Sequence, residues 1–214
     1  MIAVVDYAKG NLRSVQKGLE VAGASDVRVV TDPADIARAQ AVVLPGVGAF
    51  ADASASMQVS GQMDAVRDAI VASTPFLGIC LGLHLLFEAG AEHAQNGDAL
   101  PPGLGILPGV CDRMPSQDAA GAFFKVPHVG WNSVEKLPGC DTPLLEGIPE
   151  GEHFYFTHSY TAPDSAYTQA TTTHSITFPC FVDYNHTCFG IQFHPEKSSD
   201  AGLAVLRNFV NLIG

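Results

Sequence analysis

The sequence predicts an α/β fold: a mostly parallel central sheet with helices on both faces, plus antiparallel strands in the C-terminal half. Three observations carry this reading. Short apolar runs alternate with helical patterns through the first half, as expected of strands joined by crossover helices into a parallel sheet. From Val126 to Gln192, β-branched and aromatic residues recur between turn signals. The chain has 214 residues, 47% hydrophobic and 15% charged, which excludes a disordered or charged fibrous protein. A chain of this length closes one core without staples, burying roughly two-thirds to three-quarters of its unfolded surface.

The elements follow in order. Ile2–Val5 is a continuous apolar run, which reads as a buried strand. In Asn11–Ala22, Leu12, Val15, Leu19 and Ala22 recur at helical spacing, and Gly23 stands where a helix C-cap belongs. Val27–Val30 is a second strand, Pro33–Gln40 a short helix and Ala41–Leu44 a third strand. Ser56–Ala72 is helical in composition. Phe76–Ile79 is a strand feeding directly into a helix over Leu81–Glu88. Pro101–Gly109 is rich in Pro and Gly, and His153–Thr157, Ala166–Thr173, Phe181–Tyr184 and Cys188–Phe193 read as strands, partly antiparallel. Leu203, Leu206, Val210 and Ile213 mark a closing amphipathic helix. No repeat, low-complexity tract or long linker divides residues 1–214, so a single domain is expected.

Charge and cysteines narrow the function classes. Acidic residues outnumber basic ones 22 to 11, for a net charge of −11. A nucleic-acid or anionic-membrane binder needs a basic footprint, so neither partner is expected. Five cysteines at irregular spacing (Cys80, Cys111, Cys140, Cys180, Cys188) make no disulfide framework and point to a reducing, cytoplasmic setting. The N-terminus enters a strand-like run with no basic leader, and no apolar stretch approaches the ~20 residues of a membrane helix.

Three segments carry chemistry. Gly78-Ile79-Cys80-Leu81-Gly82 lies where a strand turns into a helix, the nucleophile-elbow pattern with sulfur in place of oxygen. The helix N-terminus beyond it favours the thiolate; the competing reading is a small residue buried in a strand. A cysteine nucleophile needs a base, and the base needs an orienting group. His194-Pro195-Glu196 offers both, since residues two apart in extended chain lean to the same side. A metal site built from His186, Cys188, His194 and Glu196 is a rival, unsupported by any Cys-x-x-Cys or His-x-x-x-His spacing. Pro45-Gly46-Val47-Gly48 follows the third strand, where backbone N–H groups of Val47 and Gly48, with that of Leu81, would face a developing oxyanion. The plain alternative is an ordinary glycine-rich turn.

Together these segments resemble the class I (triad) glutamine amidotransferases. Asp6-Tyr7-Ala8-Lys9-Gly10-Asn11, Pro45 to Phe50, Pro127-His128-Val129-Gly130-Trp131-Asn132 and Tyr155-Phe156-Thr157-His158-Ser159-Tyr160 resemble one branch, the glutaminase subunits of imidazole glycerol phosphate synthases in histidine biosynthesis. The resemblance implies that residues 1–214 form one glutamine amidotransferase domain. It implies a catalytic Cys80, His194 and Glu196, with L-glutamine held by Gly48 and the His158-Ser159-Tyr160 segment. His158 and Tyr160 are alternatively packed strand residues, and Trp131 and Asn132 core and turn. One position departs from the family. His84 stands four residues after the nucleophile, where a glutamine is usual, and an i to i+4 offset puts it on the face of Cys80. It is therefore expected to contact substrate; a helix-surface histidine is the alternative.

The chain shows no phosphate loop, complete dinucleotide fingerprint or basic cluster for a phosphorylated acceptor, so neither cofactor nor metal is expected. Nor does its length hold a (β/α)8 barrel of ~250 residues. By resemblance the acceptor chemistry belongs to a partner, a (β/α)8-barrel cyclase subunit forming a heterodimer, with Gly10, Asn11 and Lys197 at the interface; Lys197 alternatively is a solvated loop residue. Glutaminase subunits of synthases making anthranilate, formylglycinamidine ribotide or pyridoxal phosphate, a stand-alone thiol hydrolase, and a non-catalytic binding subunit are the other readings.

Overall fold

The computed structural model describes residues 1–8, 10–92 and 99–213. Lys9, within the first family motif, lies outside the described residues. The elements are β1 (Ile2–Val5), α1 (Leu12–Val21), β2 (Val27–Val30), α2 (Pro33–Ala37), β3 (Ala41–Gly46), α3 (Phe50–Ser60), α4 (Gln62–Val71), β4 (Phe76–Cys80) and α5 (Leu81–His84). There follow β5 (Phe87–Gly90), β6 (Leu107–Arg113), β7 (His128–Lys136), β8 (Glu152–His158), β9 (Tyr160–Thr161), β10 (Thr168–Thr173), β11 (Thr177–Tyr184), β12 (Cys188–Ile191) and α6 (Ser199–Asn211).

A nine-stranded sheet in the order β2-β1-β3-β4-β12-β11-β10-β7-β8 spans the molecule. The five strands from β2 to β12 are parallel. The ladders from β12 to β8 are antiparallel. This is the expected α/β arrangement, with the parallel part built by the first half of the chain and closed by β12. A smaller sheet, β5-β6-β9, lies apart.

The inner parallel strands β1, β3, β4 and β12 are apolar throughout because both faces of the sheet are covered there, whereas the edge strand β2 carries exposed Arg28. Alternation sorts their side chains: Ile2, Val4, Ala41, Val43, Leu77 and Ile79 join α1 and α6 in one core layer. Ala3, Val5, Val42, Leu44 and Phe76 join α2, α3 and α4 in the other. Under the antiparallel half, Phe154 stacks on Phe193 at 4.1 Å between centroids, and Phe156 meets the same ring edge-on. Burying each such ring contributes roughly 1.5–3 kcal/mol, and this packing sits directly below His194.

The helical patterns differ from expectation in two places. Ser56–Ala72 is not one helix: α3 begins at Phe50 and stops at Gly61, whose φ of 76° belongs to the left-handed region. α4 starts afresh there, so the two helices can pack against each other and cover the sheet. Leu81–Glu88 is a single turn ending at His84, after which Phe87–Gly90 pairs with β6 as a strand. The strands β5, β6, β7 and β9 fall outside the strands expected from sequence.

Candidate active site

Cys80 is the last residue of β4 and the first turn of α5 begins beyond it. Its backbone has φ 54° and ψ −102°, the strained geometry that lifts a nucleophile out of a sheet edge. The flanking glycines are required by space. A Cβ on Gly82 would stand 1.8 Å from the Leu44 carbonyl oxygen, and one on Gly78 would stand 2.5 Å from the Gly82 oxygen. The chain can therefore fold back on itself only with hydrogen at both positions.

Register brings His194 to the neighbourhood of Cys80. β12 lies parallel to β4 with Ile191 opposite Ile79, so Gln192 comes beside Cys80 and His194 follows just past the strand end. The His194 backbone is clamped to β8, since its N–H donates to Tyr155 O at 2.9 Å. Ser198 Oγ completes the clamp, donating to His194 O at 2.6 Å and accepting from Tyr155 N at 2.9 Å. His194 and Glu196 do not meet through extended chain, as their spacing suggests. A 3-10 turn over Pro195–Lys197 curls Glu196 back instead, and His194 Nδ1 donates to Glu196 Oε1 at 2.9 Å.

Electrostatics suit this pair for proton transfer. Burial alone would lower the His194 pKa, but the hydrogen-bonding and charge of Cys80 and Glu196 outweigh it and push it up to about 9. His194 Nε2 is sealed and makes no hydrogen bond within ordinary limits among the described residues, while Cys80 lies near enough to raise the imidazole pKa. With Nδ1 committed to Glu196, Nε2 is the nitrogen left to exchange a proton with the reacting groups.

A cavity of about 410 Å³ opens over Cys80, within the usual range of small-molecule sites. Val47, Gly48, Leu81, His84, His158, Ser159 and Tyr160, all named from sequence, line it together with Cys80. Four further residues line it: Ala49, Pro127 and Thr157, which belong to the family segments but had no role assigned from sequence, and Glu92, which belongs to none. Glu92 Oε2 accepts from Phe50 N at 3.1 Å, tying the cavity rim to the start of α3. No motif flags an isolated glutamate between strands, so only the fold could find it. The same holds for Gln192, fully buried, whose Nε2 lies 3.6 Å from Cys80 Sγ.

The histidines take different parts. His84 is buried on α5, and its Nε2 meets Gln192 Oε1 at 2.7 Å, so it is no helix-surface residue. His158 Nδ1 donates to Tyr160 O at 2.9 Å, and His158 Nε2 faces His128 Nδ1 at 3.1 Å. Both its ring nitrogens are thereby engaged within the protein, and His158 shapes the Ser159–Tyr160 turn. Burial pushes the pKa of His84 and His128 down to about 4 and that of His158 to about 3. His186, from the metal alternative, pairs instead with Asp183 at 3.0 Å, and among the described residues no three His, Cys, Asp or Glu side chains are grouped so as to hold a metal ion.

The remaining named residues do not line this cavity. Gly10 approaches the Pro45 carbonyl, and Asn11 begins α1 without its side chain capping the helix. Lys197 is exposed, its Nζ 5.9 Å from the centre of the Tyr155 ring. Trp131 is half exposed on β7 rather than core, and Asn132 Nδ2 donates to Thr173 O at 2.8 Å from within the strand. All five cysteines are unpaired, and no helix among the described residues is long and apolar enough to cross a membrane.

Known proteins share this arrangement. The family described as glutamine amidotransferase class-I matches residues 3–212. The imidazole glycerol phosphate synthase subunit HisH of Moorella thermoacetica is 45% identical over 99% of this chain and 95% of its own. That of Aromatoleum aromaticum is 45% identical over 98% and 97%. Among solved structures, one described as a glutamine amidotransferase superposes with a TM-score of 0.72 at 20% identity, covering both chains completely; that likeness speaks for the fold.

Proposed function

The chain belongs to the class I glutamine amidotransferases, and on that premise we propose that it is the glutaminase subunit of an imidazole glycerol phosphate synthase. It is an enzyme of amide hydrolysis whose product ammonia serves a synthesis. The observation that carries this reading is the convergence of Cys80, His194 and Glu196 at the C-terminal edge of the parallel strands, under a cavity of about 410 Å³. The relatives at 45% identity over nearly their full length support the branch.

In this reading His194 Nε2 takes the proton of Cys80, and Cys80 Sγ bonds to the side-chain amide carbon of glutamine. Backbone N–H groups of Val47, Gly48 and Leu81 receive the oxyanion that forms. His194 Nε2 then gives its proton to the amide nitrogen, the C–N bond breaks and ammonia leaves. Water attacks the γ-glutamyl thioester, His194 takes a proton from it, and glutamate departs as the C–S bond breaks. Glu196 holds the imidazole in the tautomer with Nδ1 protonated and stabilises its charged form. His84, Ser159 and Tyr160 hold the substrate from the cavity wall, and His158 supports the turn that carries them. Glu92 meets the α-ammonium group of glutamine with its carboxylate.

Ammonia is mostly protonated in neutral water, and ammonium is no nucleophile, so the product needs a sheltered path. The partner is a cyclase subunit, a (β/α)8 barrel, docked over the edge that holds Gly10, Asn11 and Lys197. It uses ammonia to make imidazole glycerol phosphate and aminoimidazole carboxamide ribotide. A cytoplasmic setting fits the five unpaired cysteines. The test is glutamine hydrolysis by the chain alone, with the cyclase, and with the cyclase and its ribotide. Hydrolysis should be slow alone and rise in the complete mixture; a rate indifferent to the cyclase would contradict this assignment.

A further inference from the structure

His84 occupies the place where the family carries glutamine, and its surroundings give it a task directed at the nucleophile itself. The two hydrogen-bonding partners run in a line: His84 Nε2 to Gln192 Oε1 at 2.7 Å, then Gln192 Nε2 to Cys80 Sγ at 3.6 Å. Both side chains are enclosed, with 4% and 0% of their surface exposed. An amide can be turned end for end, presenting either its oxygen or its N–H₂ group to the sulfur. Only the N–H₂ end stabilises the thiolate, because the oxygen end sets one negative charge against another.

We propose that His84 is a positioning residue for Cys80: by donating from Nε2 to Gln192 Oε1 it fixes the amide with its N–H₂ end toward the sulfur. Burial keeps the imidazole neutral near pH 7, so it carries one N–H. The Gln192 backbone is fixed in the sheet, its N–H donating to Cys180 O at 2.9 Å, and the residue is fully buried. The orientation of its side-chain amide is therefore set by the groups around it, His84 Nε2 among them. A glutamine at position 84 could donate to the same oxygen through its own amide.

This inference rests on Cys80 being the nucleophile, and the experiment separates the two claims. The rate of iodoacetamide alkylation at Cys80 is followed by peptide mass spectrometry in the full chain at pH 7, with thermal midpoints measured alongside. In the unaltered chain Cys80 should react faster than the half-buried Cys140. His84→Leu should slow Cys80 about tenfold, the scale of one hydrogen bond to a charged acceptor. His84→Gln should stay within about twofold, and on a Gln192→Leu background His84→Leu should cause no further slowing. An unchanged rate in His84→Leu, the same slowing on the Gln192→Leu background, or a tenfold loss in His84→Gln overturns the positioning role. If Cys80 is no more reactive than Cys140 in the unaltered chain, the nucleophile assignment fails first.

Discussion

Glu196 Oε1 accepts a hydrogen bond from His194 Nδ1 at 2.9 Å, and the two side chains are only 1% and 3% exposed. A charge–dipole contact so well shielded from water is worth far more than the same pair on a surface. Glu196→Gln keeps the shape but not the charge, so kcat for glutamine hydrolysis should fall roughly 100-fold or more while KM changes little. Steady-state kinetics of the assembled enzyme check this. A raised KM with kcat unchanged would mean that Glu196 serves binding.

The raised pKa of His194 fixes an upper pH limit. Cys80 and Glu196 hold the imidazole protonated up to about pH 9. Above that value no proton is available for departing ammonia, so kcat should decline through about pH 9. In Glu196→Gln the decline should begin at lower pH. A pH–rate profile flat to pH 10 would contradict the assignment of His194 as the acid.

Stability should respond to acid in the opposite sense. His84 and His128 titrate at about 4 and His158 at about 3 when folded, against ~6.5 in an unfolded chain. Their folded pKa values lie below the unfolded one, so below about pH 6.5 the unfolded state binds more protons. The stabilisation is complete above pH 6.5 and lost as pH falls toward 4. His194 has the reverse sign, its contribution present below about 6.5 and lost as pH rises through about 9. Thermal midpoints should fall between pH 6.5 and 4.5, and less steeply in His128→Asn.

Glu92 lines the cavity and is tied to Phe50 N. A carboxylate there matches the ammonium end of an amino-acid substrate. Glu92→Gln should raise the glutamine KM about tenfold, the scale of one charge-assisted hydrogen bond, with kcat within about twofold. An unchanged KM would remove Glu92 from the substrate's surroundings.

The legible parts of this chain were those where one residue type can satisfy the physics. Buried parallel strands such as Val42-Val43-Leu44 must be apolar throughout, and the elbow admits only glycine at Gly78 and Gly82. β7 was hidden because one of its faces meets solvent, so His128, Trp131, Asn132 and Ser133 break the pattern of a strand. β5 was hidden because Leu85-Leu86-Phe87 continues the periodicity of α5. The contact of His194 with Glu196 was legible but its geometry was not, since nothing in His194-Pro195-Glu196 distinguishes a 3-10 turn from extended chain. Gln192 and Glu92 were invisible for a different reason: their neighbours at the site come from β4 and α3, more than forty residues away.

The central claim is that Cys80 releases ammonia from glutamine for use elsewhere. Its most direct test is Cys80→Ala in the complex with the cyclase, assayed with glutamine and separately with added ammonium salt at alkaline pH. Glutamine-dependent product formation should vanish, while ammonia-dependent formation stays within about twofold of the unaltered complex. Loss of both activities, or survival of glutamine-dependent turnover, would contradict the account.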